Sequence, residues 1–219
     1  MKVLSYSLYG SDDLYCIGAI KNAQQAGIYY PGWMVYFWHD KTVPDHILSQ
    51  LKNMPNVKLI DVIDSTVPGR YWRFNLFNDK DVEIFCVRDT DSRISQREID
   101  AVNEWLLSDK IMHVMRDHPN HNYLVMAGMW GFKNKIKINF QQKIENWLFS
   151  RQAHDKIDDT LFLYQIYNDV SPNIIVHDDW KRCKFSKNFP QKRTNQRFIG
   201  EIMKINDQPL YDHHISITY

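Results

Sequence analysis

Ile84 to Arg93 read IFCVRDTDSR, an apolar run that ends abruptly in Asp89 and Asp91, with Ser92 and Arg93 directly behind. Side chains of an extended segment alternate with a period of two, so both carboxylates are expected on one side where the strand leaves its sheet. Two carboxylates so placed repel each other unless a cation lies between them. The carboxyl end of a strand in an open α/β sheet is also where ligands bind, which suits a hard divalent cation and an anionic substrate. Spacing alone decides little, because D-x-D also occurs in solvated loops. The context strengthens it: Arg88 and Arg93 flank the pair, placed to hold the carboxylates or a phosphate, and Ser95 with Glu98 three residues later reads as a capping box opening a helix with Ile99, Val102 and Leu106 on one face.

Outward from this stretch, strand and helix patterns alternate. Lys2 to Leu8, Trp33 to His39, Val57 to Ile63 and Val82 to Val87 read as strands. Between them lie helical patterns over Leu14 to Gly27, with Gly27 as C-cap, and over Pro44 to Asn53, with proline at N1, and a short helix over Arg70 to Asn78. Beyond the aspartates, Lys110 to Met115, Tyr123 to Trp130 and Asn173 to His177 read as strands. Phe140, Ile144, Trp147 and Leu148 mark one amphipathic helix, and Asp159 to Tyr167 another. From Trp180 onward periodicity is weak, with a terminal strand expected over His214 to Tyr219. The reading is an α/β fold: a central, mainly parallel mixed sheet flanked by helices on both faces, with a less regular C-terminal third.

The 219 residues suit a single domain over 1–219. Seven Trp and twelve Tyr point to a ring-rich core and a pocket that stacks rings. A formal net charge of +1 argues against nucleic acid and anionic membranes as partners. No apolar run approaches the roughly 18 residues of a membrane span, and the N-terminus does not read as a signal peptide. Cys16, Cys86 and Cys183 lack metal-type spacing and fit reduced thiols, hence a cytoplasmic location. There is no Walker A loop, no G-x-G-x-x-G after the first strand and no G-x-S-x-G.

Other segments carry candidate chemistry. RDHPNHNYLVMAGMWG, Arg116 to Gly131, joins Arg, Asp and two histidines to a small-residue turn at Ala127 and Gly128, where backbone can approach a cyclic ligand; the plainer reading is a turn whose Trp130 fills the core. Asp158 and Asp159 open a helix, a place that favours carboxylates as caps and also holds one rigidly enough for catalysis. His177 closes the strand NIIVHDD and is a nitrogen donor suited to Mn²⁺, with His213 and His214 as alternatives. A basic run follows, Lys181, Arg182, Lys184, Lys187, Lys192, Arg193 and Arg197, which suits a solvated face or a nucleic-acid patch, while a diphosphate clamp uses the same charge with far fewer residues.

The order of these parts resembles nucleotide-sugar glycosyltransferases of the GT-A fold, and more narrowly the soluble glycosyltransferase domains encoded by chlorella viruses and other large DNA viruses. The pieces that carry the resemblance are SYSLYG at 5–10, YWRF at 71–74, RDTDSRISQREIDAVNEWL at 88–106, MRDHPNH at 115–121, AGMWG at 127–131, DDTLFL at 158–163, HDDWKRC at 177–183 and FIGE at 198–201. The resemblance implies a UDP-sugar donor, a glycan or glycoprotein acceptor, and Mn²⁺ (or Mg²⁺) on Asp91 and Asp89, with Asp89 shared with the ribose and His177 as third protein ligand. Ser5, Tyr6, Ser7, Leu8 and Tyr9 would cradle uracil and ribose, and Arg73 would lie near the nucleotide, with Lys192 and Arg193 toward the diphosphate. Arg88, Asp117, His118, Gly128, Trp130 and Gly131 would line the sugar region. Asp159, Asp117 and His118 are the implied catalytic side chains, within a nucleotide-binding part over about 1–110 and a sugar and acceptor part over about 111–219. AGMWG departs from the more usual GGMWG, which leaves the donor sugar open. If viral, the chain would work in the host cytoplasm in glycan synthesis, with retention of anomeric configuration.

Three other readings compete. A phosphatase of the haloacid dehalogenase type also sets D-x-D after a strand, but Arg93 stands where that family has Thr or Val, and the motif lies deep in the chain. A sugar-nucleotide binding module would bind the donor without transfer. A nucleotidyltransferase would release pyrophosphate from a nucleoside triphosphate.

Overall fold

The structure is a computed structural model that describes residues 1–150, 158–180, 183–193 and 196–211. The expected terminal strand, His213, His214, Lys181 and Arg182 lie outside the described residues. Seven strands, β1 (Lys2–Leu8), β2 (Met34–His39), β3 (Val57–Asp61), β4 (Ile84–Val87), β5 (Met112–Arg116), β6 (Trp130–Lys133) and β7 (Ile174–Asp178), form one sheet in the order β3-β2-β1-β4-β6-β5-β7. All pairings are parallel except those of β6, which runs antiparallel to both β4 and β5. The mixed, mainly parallel α/β sheet expected from the alternation of elements is the one observed.

Alternation along the strands divides the core into two layers. Leu4, Tyr6, Leu8, Val35, Phe37 and Cys86 face α1 (Asp13–Tyr29), α2 (Asp45–Lys52) and α3 (Gln96–Leu107). Val3, Tyr36, Phe85, Val87, Trp130 and Phe132 face a 3₁₀ segment (Gly69–Asn78), α4 (Phe140–Ser150) and α5 (Asp158–Val170). This second layer holds more aromatic rings than the first: Phe77 lies with ring centroids 4.9 Å from Phe132 and 5.1 Å from Phe85, and Phe74 lies 5.6 Å from Trp130. Edge-on and offset pairs of this kind add roughly 0.5–1.5 kcal/mol each beyond their buried area.

Several local expectations are corrected. Residues 123–129, read as a strand, form bends and a turn, and the strand proper begins at Trp130. A helix expected to stop at Gly27 runs on to Tyr29. Pro44 is the N-cap of α2, not its first helical residue. In the capping box, Ser95 Oγ accepts the Glu98 N–H at 3.2 Å, yet the Glu98 carboxylate does not reach back; it is buried and accepts from Arg88 Nε at 2.8 Å and from the Tyr30 hydroxyl at 2.7 Å. A buried guanidinium outbids a backbone N–H for that carboxylate.

Candidate active site at the carboxyl ends of β1 and β4

The chain crosses from one side of β1 to the other between β3 and β4, so the carboxyl ends of β1 and β4 border the switch point where open α/β sheets bind ligands. A cleft of about 490 Å³ opens there, walled by Ser7, Tyr9, Tyr15, Arg70, Arg73, Asp89, Thr90, Asp91 and Asp159.

The two aspartates reach it by way of a turn. β4 ends at Val87, and Ser92 closes the bend with its Oγ donating to Asp89 O at 3.0 Å. Buried Asn22 of α1 fixes the bend from below, its amide donating to Thr90 O at 3.0 Å and Ser92 O at 2.9 Å. A Cβ on Gly18 would stand 2.1 Å from Thr90 O, so α1 needs glycine there to pass so close. On the other side, Met203 N donates to Asp91 O at 2.8 Å.

Arg73 organises the carboxylates. Its N–H donates to Ser7 Oγ at 3.0 Å and its carbonyl accepts from Ser5 Oγ at 2.7 Å. Its guanidinium bridges two acids, Nη1 on Asp89 Oδ1 and Nη2 on Asp159 Oδ2 at 3.0 Å. Burial and then the negative charge of Asp89 push the Asp91 carboxyl up to about 7. Burial also raises Asp159, against the pull of Arg73. Asp158, beside Asp159 on α5, accepts from the Tyr71 hydroxyl at 2.9 Å, so the 3₁₀ segment holds the start of that helix at two points.

Among the expected residues, the cleft gathers Ser7, Tyr9, Arg73, Asp89, Asp91 and Asp159. Ser5 stands one layer down, under Arg73. Tyr6 and Leu8 point to the opposite face of β1, where Tyr6 stacks on Phe37 at 5.2 Å, so they offer the cleft main chain only. Arg88, expected along the sugar region, turns under the sheet to Glu98 and donates to Trp130 O at 2.9 Å. Arg93 binds Asp207 at 2.8 Å and the carbonyls of its own turn. Neither arginine holds the aspartates. Trp130 and Gly131 lie in the sheet core, Gly131 against Trp105 and Cys86. Gly128 touches the site directly, because a Cβ there would fall 1.8 Å from Asp89 Oδ2.

Asp117 is fully buried, accepting from Arg97 Nη2 at 3.0 Å, Arg193 Nη2 at 2.5 Å and Ile199 N at 3.0 Å. His118 packs against Phe198 with ring centroids 4.4 Å apart. Lys192 and Arg193 border a second cavity, of about 270 Å³, with Arg93, Arg97 and Arg197. None of these four is in the wall of the carboxylate cleft.

His177 is not brought to the aspartates. It is fully buried beside α3, its Nδ1 2.8 Å from His113 Nε2 and its Nε2 3.3 Å from Glu104 Oε2. Glu104 also pairs with Lys187, and Asp179 and Arg97 act on the ring from nearby. Burial lowers His177 from 6.5 to about 4 and lowers His113 as well. Since the folded values lie below the unfolded ones, the contribution of the two histidines is complete above pH 6.5 and is lost as pH falls toward 4, while that of the raised Asp91 carboxyl grows over the same window. We expect a loss of roughly 3 kcal/mol from His177 over that window, measured by urea denaturation at pH 7 and 4.5, and a flatter profile for His177→Gln. An unchanged slope in the variant would contradict it.

Arg70, Tyr15, Asn22 and Gly18 were not singled out in the sequence. For Arg70 a signal existed: residues three apart eclipse in a 3₁₀ helix, so Arg70 and Arg73 share a face.

Solved structures with this architecture settle its class. Galactosyltransferase LgtC, in complex with donor and acceptor sugar analogs, matches at a TM-score of 0.56 and 13% identity over 81% of this chain and 73% of that one. The fold is GT-A. TarS 1-349 of S. aureus in complex with UDP shares this GT-A fold at 0.52 and 13% identity, over 86% of this chain and 59% of TarS. So does 4-diphosphocytidyl-2C-methyl-D-erythritol synthase from Anaerococcus prevotii, at 0.53 and 12% identity over 84% and 91% of the two chains. A glycosyltransferase involved in glycosylation of the major capsid of PBCV-1 matches over 81% and 80% at a lower TM-score of 0.48 and 13% identity. No family model matches the chain, and no curated protein matches it. No helix among the described residues is long and apolar enough to cross a membrane.

Proposed function

We propose that the chain is a metal-dependent glycosyltransferase that moves a sugar from a UDP-sugar to a hydroxyl of a glycan acceptor with retention of configuration. The observation that carries this reading is the cleft itself, where Asp89, Asp91, Asp159 and Arg73 converge with Ser7 and Tyr9 at the carboxyl ends of β1 and β4. TarS, of the same fold, is solved with UDP, and LgtC with donor and acceptor sugar analogs.

The residues fit a hard divalent cation. Asp89 and Asp91 offer carboxylate oxygens on the wall of the cleft, the hard donors such a cation takes. Mn²⁺ or Mg²⁺ bound there would supply positive charge to the leaving diphosphate. Tyr9 and Ser7 would bind the nucleoside. Asp159, held by Arg73, would face the positive charge that develops on the sugar ring as the glycosidic bond stretches. Arg70 would add a second cationic group on the donor side.

The test is thermal-shift screening of UDP-, GDP- and CMP-sugars with and without Mn²⁺, followed by NMR of the fresh product. A ligand at 100 times its dissociation constant adds about 2.7 kcal/mol, and we expect that gain with a UDP-sugar only when Mn²⁺ is present. Absence of any Mn²⁺-dependent shift refutes the donor site, and an inverted product refutes retention. Pyrophosphate released from a nucleoside triphosphate would instead favour the nucleotidyltransferase reading.

A further inference from the structure

We propose that Arg73 is a latch on the cation site: its guanidinium holds Asp89 in the cation-free chain and is released to the incoming donor when a divalent cation takes that carboxylate. The inference rests on the donor-site reading above and concerns how that site is loaded.

One oxygen of Asp89, Oδ1, is held by Arg73 Nη1 and the other, Oδ2, lies close to Gly128. A cation that takes both carboxylates must therefore displace the guanidinium from Asp89 Oδ1. Arg73 has capacity for a new partner, because its Nε is buried without a hydrogen bond. Its backbone is pinned by Ser5 and Ser7, so only the side chain can swing. A buried orphan N–H is costly, and a phosphate oxygen or sugar hydroxyl arriving in the cleft would satisfy it. Released from Asp89, the guanidinium remains tied to Asp159 at 3.0 Å and stays within the cleft. Cation and donor then assist each other, since the cation frees the group that the donor needs and the donor stabilises the freed group. Such mutual assistance is a coupling free energy and is reciprocal.

Electron paramagnetic resonance of free Mn²⁺, titrated with and without UDP, reads the coupling without any turnover. In the natural chain we expect UDP to tighten Mn²⁺ by about tenfold or more. Arg73→Gln should bind Mn²⁺ alone about tenfold tighter, with the gain from UDP reduced to about twofold. Removing a positive charge tightens cation binding by itself, so Arg93→Gln, whose charge acts on Asp91 from outside the cleft wall, serves as the control, with less than about threefold tightening and the UDP gain intact. Arg73→Lys keeps the charge but lacks the fork that spans both acids, and should also tighten Mn²⁺ and lose coupling. Full coupling in both Arg73 variants overturns the latch while leaving the donor site standing. Failure of the natural chain to bind Mn²⁺ or UDP overturns the donor site and the latch together.

Discussion

Asp91→Asn should lower the rate of sugar transfer about a thousandfold, a loss of several kcal/mol of transition-state stabilisation. The amide keeps the shape of the side chain and removes the charge. The turn that presents it is held by Asn22, Ser92 and the main chain of Met203, none of which uses the Asp91 carboxylate, so the cleft should keep its form. Removing one of two neighbouring carboxylates relieves repulsion in the cation-free chain, so melting temperature should hold or rise while activity falls. Such opposition is usual where an active site concentrates like charge. Initial rates at saturating UDP-sugar and Mn²⁺, beside a thermal melt of the same sample, check both halves. Equal activity in the variant would remove Asp91 from the mechanism.

Asp117→Ala should be the most destabilising single change outside the apolar layers. It removes the buried carboxylate that Arg97 and Arg193 share, leaving Arg97 to Asp179 and Arg193 to main-chain carbonyls, and frees Ile199 N–H. Breaking a buried ion pair from one side costs about 3–5 kcal/mol, which for a chain of this size lowers the melting temperature by roughly 10 °C. The residue was first expected among the catalytic groups. Its surroundings predict instead that the folded fraction of the variant, assayed well below its melting point, retains most of its turnover. Circular dichroism melts and rates normalised to folded protein separate the two roles.

Much of the architecture was legible because strand and helix periods differ, and β1 was read to its exact ends. Residues 123–129 were misread because Tyr, Leu, Val and Met there have strand propensity, while Val125 and Ala127 are buried in a bend by tertiary packing. At the site, Asp89, Asp91 and Asp159 were legible from their places at element ends. The partner that binds two of them was assigned to the nucleotide, and the flanking arginines were credited with its task. Nothing in Arg88 or Arg93 as residues shows which way they turn; Glu98 and Asp207, both distant along the chain or on another face, decide that. His177 looked like a ligand because it closes a strand beside two aspartates, but the register of β7 against β5 places its ring against His113, inside the protein.

The turn that carries Asp89 and Asp91 is steadied largely by main-chain atoms: Ser5 O receives Arg88 N–H, Met203 N–H meets Asp91 O, and Thr90 and Ser92 present carbonyls to a single amide. Main-chain bonds leave little trace in residue identity. A turn held this way depends little on which side chains surround it, and a shared fold at 13% identity to LgtC is compatible with that. For such a protein, the fold is carried less by its alphabet than by the path of its backbone.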